Sequence, residues 1–264
     1  MHWCIDMTKT NTKKQVNSLL NDYHLLSFDT LDSTNEEAKR LAKAGGSHGA
    51  VIWAKKQTSG KGRMGRSWVS EEGNLFVSML LKPEKPLQEF SQLSFVTAVA
   101  VLDALADMVK PDDLACKWPN DILLNDKKLG GILLESFKAG EDSDSWAVAG
   151  VGINVDSFPK QTDFPATCLT DAGVELISAK IILSRFIHHF IECYNTWNAK
   201  GFAPIRKRWL ESAWKLGNPI TARLVDGKQE GLFEGIDDHG RLILALAEGR
   251  KQHILAADIT ADRI

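Results

Sequence analysis

Hydrophobic positions along the chain fall into short blocks whose period keeps changing, and those changes place the elements. Leu25 to Leu31 (LLSFDTL) alternates and predicts a strand, while residues 1–24 show no period and read as a loosely ordered lead-in. Ser33-Thr34-Asn35-Glu36 has the spacing of a capping box, with Ser33 as N-cap. A short helix (NEEAKRLAKA) should follow and stop at Gly45-Gly46. Ala50 to Ala54 and Asn74 to Lys82 predict strands on either side of a polar, glycine-rich loop. Glu89 to Lys110 is apolar nearly all round at helical spacing, the mark of a buried central helix. Four compact β segments come next: Leu114 to Trp118, Ile122 to Leu124, Leu129 to Phe137 and Trp146 to Val155. Asn125-Asp126 supplies a tight hairpin turn and Ala139 to Ser145 a hairpin loop. Ser178 to Ala199 reads as a long amphipathic helix burying Ile182, Phe186, Phe190, Tyr194 and Trp197, and Pro204 to Ala213 as a shorter one. After Gly217 the runs ITARLV, EGLFEGI, RLILAL and HILAADI are punctuated by Asp226-Gly227, His239-Gly240 and Glu248-Gly249, which predicts a small all-β module.

The pattern is that of an α+β protein without internal repeats: a lead-in over 1–24, a main domain over 25–216 and a small β-barrel over 217–264. A chain of 264 residues with 44% hydrophobic residues can bury a sizeable core without staples. Its four cysteines, Cys4, Cys116, Cys168 and Cys193, form no CxxC pair and read as reduced, mostly buried thiols. A net charge of −2 provides no global attraction to nucleic acid or to an acidic membrane, so any anion must be bound by a local cluster. The N-terminus lacks the apolar stretch of a signal peptide and no later run approaches membrane-spanning length, so a cytoplasmic protein is expected.

One loop offers such a cluster. In Gln57-Thr-Ser-Gly-Lys-Gly-Arg-Met-Gly-Arg-Ser-Trp68, Gly60, Gly62 and Gly65 are interleaved with Lys61, Arg63 and Arg66. Glycine lets backbone N–H groups approach a ligand, cations neutralise phosphate, and Trp68 could cover an aromatic face. Neither the P-loop spacing nor a GxGxxG turn after a strand is present. From composition alone, a basic surface loop explains the segment equally well.

The segment GKGRMGRSW resembles the GRGRxGRxW signature of biotin protein ligases, and four more segments agree in order and distance. They are Asp32-Ser33-Thr34-Asn35, Lys117-Trp118-Pro119-Asn120-Asp121, Lys128-Leu129-Gly130-Gly131-Ile132-Leu133-Leu134-Glu135 and Gly150-Val151-Gly152-Ile153-Asn154-Val155. The resemblance implies a mixed-sheet catalytic domain of the class II synthetase-like biotin–lipoate ligase fold with a small SH3-like C-terminal barrel. It also implies adenylation of biotin by ATP with Mg2+, then transfer of biotin to a lysine of a biotin carboxyl carrier protein.

Carried over residue by residue, the resemblance assigns biotin to Ser33, Thr34, Asn35, Gln57, Gly60, Lys61, Arg63, Lys128 and Gly131. It assigns the nucleotide to Lys61, Arg63, Arg66, Trp68 (against the adenine), Asn120, Lys128, Gly152 and Asn154. Lys128, Arg63 and Asp121 become the catalytic set, with Asp121 as a candidate metal ligand. Lys61 departs from the signature's arginine and gives up its bidentate fork. The residues also have plainer readings: Ser33 as a helix cap, Asn120 and Asp121 as turn formers, Lys127 and Lys128 as solvated cations at a turn tip. His188-His189, without a ligand set at i+4, reads as structural or exposed, and Trp197, Trp209 and Trp214 as core.

Two other functions remain in view: a lipoate–protein ligase, which shares the fold and the adenylate chemistry, and a non-catalytic nucleic-acid-binding protein using the basic loop. Only 24 residues precede the first predicted strand, too few for a helix-turn-helix domain, so a monofunctional enzyme without operator binding is expected, with a homodimer left open.

Overall fold

The computed structural model describes residues 15–20, 22–140, 144–175, 177–224 and 227–261. Cys4, most of the lead-in, the centre of the Ala139–Ser145 loop and Asp226 lie outside them. Two sheets organise the molecule. The first is eight-stranded and contains β1 (Gln15–Leu20), β2 (Tyr23–Leu31), β3 (Ala50–Gln57), β4 (Leu75–Leu81), β5 (Leu114–Lys117), β6 (Asp121–Leu124), β7 (Lys127–Lys138) and β8 (Ser145–Ile153), in the order β1-β2-β3-β4-β8-β7-β6-β5. Only β2 and β3 run parallel, joined across α1 (Thr34–Lys43); the other neighbours are antiparallel.

The sheet is covered on both faces, and period two shows how. On β3, Val51 and Trp53 point into the large core under α2 (Leu93–Leu105) and α3 (Ala179–Lys200), whereas Ala50, Ile52 and Ala54 pack under α1. On β4, Ser78 is the one polar residue, fully buried toward α1. It faces the site described below.

The second sheet holds β9 (Pro219–Leu224), β10 (Gly227–Ile236), β11 (Leu242–Ala245), β12 (Lys251–Ile254) and β13 (Asp258–Thr260), in the order β12-β11-β10-β9-β13. All its pairings are antiparallel and its edges are not joined, so the expected closed barrel is an open five-stranded sheet. It docks on the main body beside α4 (Ala203–Glu211) and α2: Trp118 Nε1 donates to Gly240 O at 2.9 Å and Gln92 Nε2 to Asp238 O at 3.0 Å.

Several expectations need correction. Gln15–Leu20, read as part of the loose lead-in, is an edge strand paired with β2. The central helix is shorter than expected. A 3-10 turn occupies Leu87–Gln92, and Lys110, extended at φ −65° and ψ 138°, obeys the restriction that Pro111 places on it. The capping box does not form: Ser33 sits at the N-cap but its side chain accepts no helix N–H, its own backbone N–H goes to Asp32 Oδ1 at 2.7 Å, and Glu36 turns to lysines. The hairpin turn behaves as expected, with Asn125 and Asp126 both left-handed at φ 51° and 58°, the type I′ pattern. Cys116, Cys168 and Cys193 are free and buried.

Candidate active site

A cleft of about 920 Å³ opens at the edge where α1, the basic loop, the β5–β6 hairpin, the middle of β7 and β8, and the second sheet meet. Ser33, Thr34, Asn35, Gln57, Lys61, Arg63, Arg66, Trp68, Asn120, Asp121, Lys128, Gly131, Gly152 and Asn154 all line it, so the structure brings together every sequence-selected residue except Gly60. Gly60 supports the cleft from behind: a Cβ there would lie 2.4 Å from Ser70 Oγ and 2.5 Å from Trp68 O.

One end of the cleft is polar but uncharged. Gln57 Oε1 accepts from Thr34 N at 2.8 Å and lies 3.2 Å from Thr34 Oγ1, while Gln57 Nε2 donates to Ser70 Oγ at 2.9 Å. Ser78 Oγ lies 2.7 Å from Thr34 Oγ1 and 2.6 Å from Asn35 Oδ1. These bonds fix the side chains before any ligand enters, which is the preorganisation that a selective polar pocket requires. Asn35 itself is committed to the protein, donating to Leu133 O at 3.2 Å and Glu135 Oε2 at 2.8 Å. It holds α1 on β7 and forms wall.

The other end is cationic. Lys128 Nζ lies 2.7 Å from Asp121 Oδ1 and Lys117 Nζ lies 3.9 Å from Asp121 Oδ2, so one carboxylate stands between two ammonium groups. The Lys117 side chain is only 8% exposed, with Nζ 4.4 Å from the Phe164 ring centre, and burial pulls its pKa below the usual lysine value. Arg63 Nη1 donates to Asn120 Oδ1 at 3.1 Å, while Asn120 Nδ2 donates to Ile132 O at 2.7 Å. Burial lowers the Arg63 pKa as well, though a guanidinium stays charged throughout the working range.

Between the two ends lies Trp68. Its indole spans two glycines: a Cβ on Gly152 would sit 2.5 Å from Nε1 and one on Gly131 would sit 3.3 Å from Cζ3. Lys128 Nζ is 5.4 Å from the ring centre. Nε1 is buried without a hydrogen-bond partner, an orphan donor inside the cleft. Gly150, whose Cβ would lie 2.1 Å from Asn35 Oδ1, leaves room for that side chain. Gly131 and Gly152 therefore make way for Trp68, and Gly150 for Asn35. Asn154 Nδ2 donates to Thr167 O at 3.0 Å and so ties down the 159–170 segment.

The basic loop is a miniature hairpin. Lys61 bridges to Ser67, Trp68 N donates to Gly60 O at 2.9 Å, and Met64 and Gly65 turn the tip with φ 54° and 75°. Each of its three cations has its own protein partner: Lys61 on Glu36 at 2.6 Å, Arg63 on Asn120, and Arg66 on Asp258 of β13.

Residues 27–154 match the Biotin/lipoate A/B protein ligase family, and residues 215–260 match the Biotin protein ligase C terminal domain. A biotin–[acetyl-CoA-carboxylase] ligase of Paracoccus denitrificans is 41% identical over 234 residues, which is 86% of this chain and 96% of that protein. The chain belongs to the biotin protein ligase family. Among other family members, the bifunctional ligase/repressor BirA of Bacillus subtilis is 39% identical over 89% of this chain and 73% of its own length. The biotin protein ligase of Aquifex aeolicus, solved in complex with biotin and ATP, aligns with a TM-score of 0.76 at 29% identity, covering 89% of this chain and 97% of that one. Family membership accounts for the mixed sheet with its helices and for the appended small sheet.

Sequence reasoning passed over two parts of this ligase-family site. Lys117 stood in the KWPND segment without a role. The available signal was a lysine in an apolar strand, set opposite Asp121 across a short turn. The second is the wall built by Arg223, Asp258, Ile259 and Thr260 of the C-terminal sheet. Nothing in the local pattern announces it, because Arg66 and Asp258 are 192 residues apart.

The donors do not fit a resident Mg2+. Asp121 is the carboxylate beside the cationic cluster, and both its oxygens face ammonium groups, so the expected metal ligand is a counter-ion. Among the described residues, the group that converges as metal ligands would is His188, His189 and Glu192, on the exposed side of α3 and outside the cleft lining. Glu192 is the i+4 partner of His188 that the sequence reading overlooked, 3.4 Å from His188 Nε2 and 3.3 Å from His189 Nδ1.

Proposed function

We propose that this chain activates biotin with ATP and passes the biotinyl group to a lysine of a biotin carboxyl carrier protein. The observation that carries the reading is the polarity of the cleft: uncharged hydrogen-bonding groups at one end, a cationic cluster at the other, and an indole between them. Biotin has the matching layout, with a ureido ring that donates and accepts, an apolar middle and a carboxylate tail. Ser33, Thr34 and Gln57 take the ring, and Lys128 and Arg63 take the carboxylate and the α-phosphate of ATP. Asn120 and Arg66 supply further contacts along the nucleotide.

In the first step a biotin carboxylate oxygen bonds to the α-phosphorus and the bond to the β-phosphate oxygen breaks, releasing pyrophosphate. In the second, the carrier lysine's neutral amine attacks the acyl carbon, AMP departs and the amine loses a proton. No enzyme nucleophile is needed. The protein's work is to hold two anions together and offset the charge that builds at phosphorus. Magnesium enters with ATP as part of the substrate. Residues 25–216 are the adenylating unit and 217–264 the small C-terminal domain, whose Arg223, Asp258, Ile259 and Thr260 complete the wall, in a protein working in the cytoplasm.

Lipoate shares the carboxylate, but its dithiolane ring would desolvate the polar groups around Thr34 and Gln57 without offering them a further hydrogen bond, which costs affinity. A nucleic-acid role is disfavoured because a net charge of −2 provides no global attraction to a polyanion. The decisive experiment is exchange of labelled pyrophosphate into ATP, driven by biotin or by lipoate. Exchange with biotin alone is expected. Exchange with lipoate alone would overturn the substrate, and exchange with neither would overturn the enzyme.

A further inference from the structure

Lys61 stands where the family signature has arginine, and its surroundings show what the lysine does. Its Nζ reaches Glu36 Oε1 at 2.6 Å, on the first turn of α1, two residues beyond Thr34. Glu36 is itself one member of a line of alternating charges. Lys39 Nζ lies 3.1 Å from the same oxygen and 2.6 Å from Glu135 Oε1 on β7, whose other oxygen accepts from Asn35. The line thus runs from the loop, across the edge of α1, to the strand that carries Gly131 and Lys128. Isolated exposed pairs contribute little, but charges joined in a network and held by a buried amide are better placed to restrain a loop.

An ammonium group makes a point contact, and one carboxylate satisfies it. Lys61 lines the cleft but spends that contact on Glu36, which does not line it, at the root of the hairpin, where Lys61 also bridges to Ser67. Arg63, by contrast, is partly buried and faces Asn120 inside the cleft. The hairpin is therefore pinned at the pocket's polar end by a different cation from the one offered to phosphate. Glu36 touches no group expected to react, and its carboxyl is held below the usual range by Lys61 first, with burial opposing and Lys39 adding to the lowering.

From this placement we infer that Lys61 and Glu36 form a clasp: a positioning pair that closes the basic hairpin over the biotin ring and sets how slowly biotin escapes. The inference rests on the biotin reading above and deepens it. The clasp acts on retention, while Lys128 and Arg63 act on the chemistry.

The test measures the biotin dissociation rate and steady-state pyrophosphate exchange for the full chain, for Glu36→Gln, and for the charge-exchanged double variant Glu36→Lys/Lys61→Glu. Glu36→Gln should release biotin about fivefold faster, the upper end for an exposed pair, and raise KM for biotin in step. Its kcat at saturating biotin should stay within about twofold of wild type. The double variant should win back part of the retention, limited by Lys39 beside position 36, which a merely local disturbance of α1 would not allow. Wild-type release should also quicken between low salt and about 0.5 M salt, and Glu36→Gln release should respond less. An unchanged release rate in Glu36→Gln overturns the clasp, as does a fall in kcat at constant KM or a double variant no better than the single. Failure of the wild-type chain to bind biotin at all would instead overturn the substrate, so the two readings fail separately.

Discussion

Lys128 and Lys117 flank the same carboxylate, yet their environments assign them different energies. Lys128 is partly exposed and in contact with Asp121, so its charge carries little desolvation cost. Replacing it with alanine removes the charge at the point where carboxylate and phosphate meet. Biotin-dependent pyrophosphate exchange should fall by about 100-fold or more, as when a preorganised electrostatic contact is deleted, while thermal unfolding moves little. Wild-type exchange in Lys128→Ala would show that another cation does this work. Lys117 is nearly enclosed, and its lowered pKa reports that the fold disfavours its charge. Lys117→Met keeps the stem's packing and leaves Asp121 paired with Lys128. The variant should be more stable, with Tm up by about 2–4 °C, and poorer at exchange, the trade expected where a site holds an unfavourable charge for function. Calorimetry and the exchange assay on one preparation check both halves; a drop in Tm would mean that the charge stabilises the fold.

At the scale of elements, the strands and long helices were legible because their apolar spacing is local, whereas the site depends on what lies opposite each strand. β3, β4 and β8 declare themselves by apolar runs, since both faces of the sheet are covered. β1 does not, because an edge strand made of QVNSLL depends on its pairing with β2. The capping box misled for a similar reason: its Glu36 finds Lys61, 25 residues away, instead of the Ser33 N–H. Gly152 makes the point testable. Alanine there would place a Cβ 2.5 Å from Trp68 Nε1 and 2.7 Å from Cε2, so the indole must leave its seat on β7 and β8. The variant should fold, with KM for biotin raised by about 10- to 100-fold, because a displacement of about 1 Å in a positioning group is that costly. Steady-state kinetics check it, and wild-type KM values would show that Trp68 has no fixed place in the site.

At the scale of the molecule, the C-terminal sheet is a structural part of the cleft, since Asp258 reaches Arg66 and Arg223, Ile259 and Thr260 line the same wall. Its own firmness depends on the turn that follows β10. Asp237 accepts from the backbone N–H groups of His239 and Arg241 at 2.9 Å each, from Arg241 Nε at 2.7 Å, and lies 2.8 Å from His253 Nδ1. Burial pushes its pKa up, but His253, the two backbone donors and Arg241 outweigh that and bring it to about 2. A folded-state pKa below the unfolded one means that the ionised carboxylate stabilises the fold. The contribution is complete above the unfolded value near 3.8 and disappears as pH falls through about 2. Next to this turn, Gly240 takes φ +77° and gives up its carbonyl to Trp118, with Phe95 so near that a Cβ would lie 2.4 Å from its ring. Loosening Asp237 should therefore disturb the docking of the sheet as well as the sheet itself. Asp237→Asn should melt below wild type at pH 7, with the gap between the two curves closing as pH is lowered from about 4 toward 2. It should also weaken ATP binding more than biotin binding, because the wall it supports holds Arg66 and not the Thr34–Gln57 pocket. Thermal melts across that pH range, with calorimetric titration of each substrate at neutral pH, decide the matter. A gap that stays constant with pH would assign the loss to packing, and equal losses for the two substrates would mean that the C-terminal sheet supports the cleft as a whole.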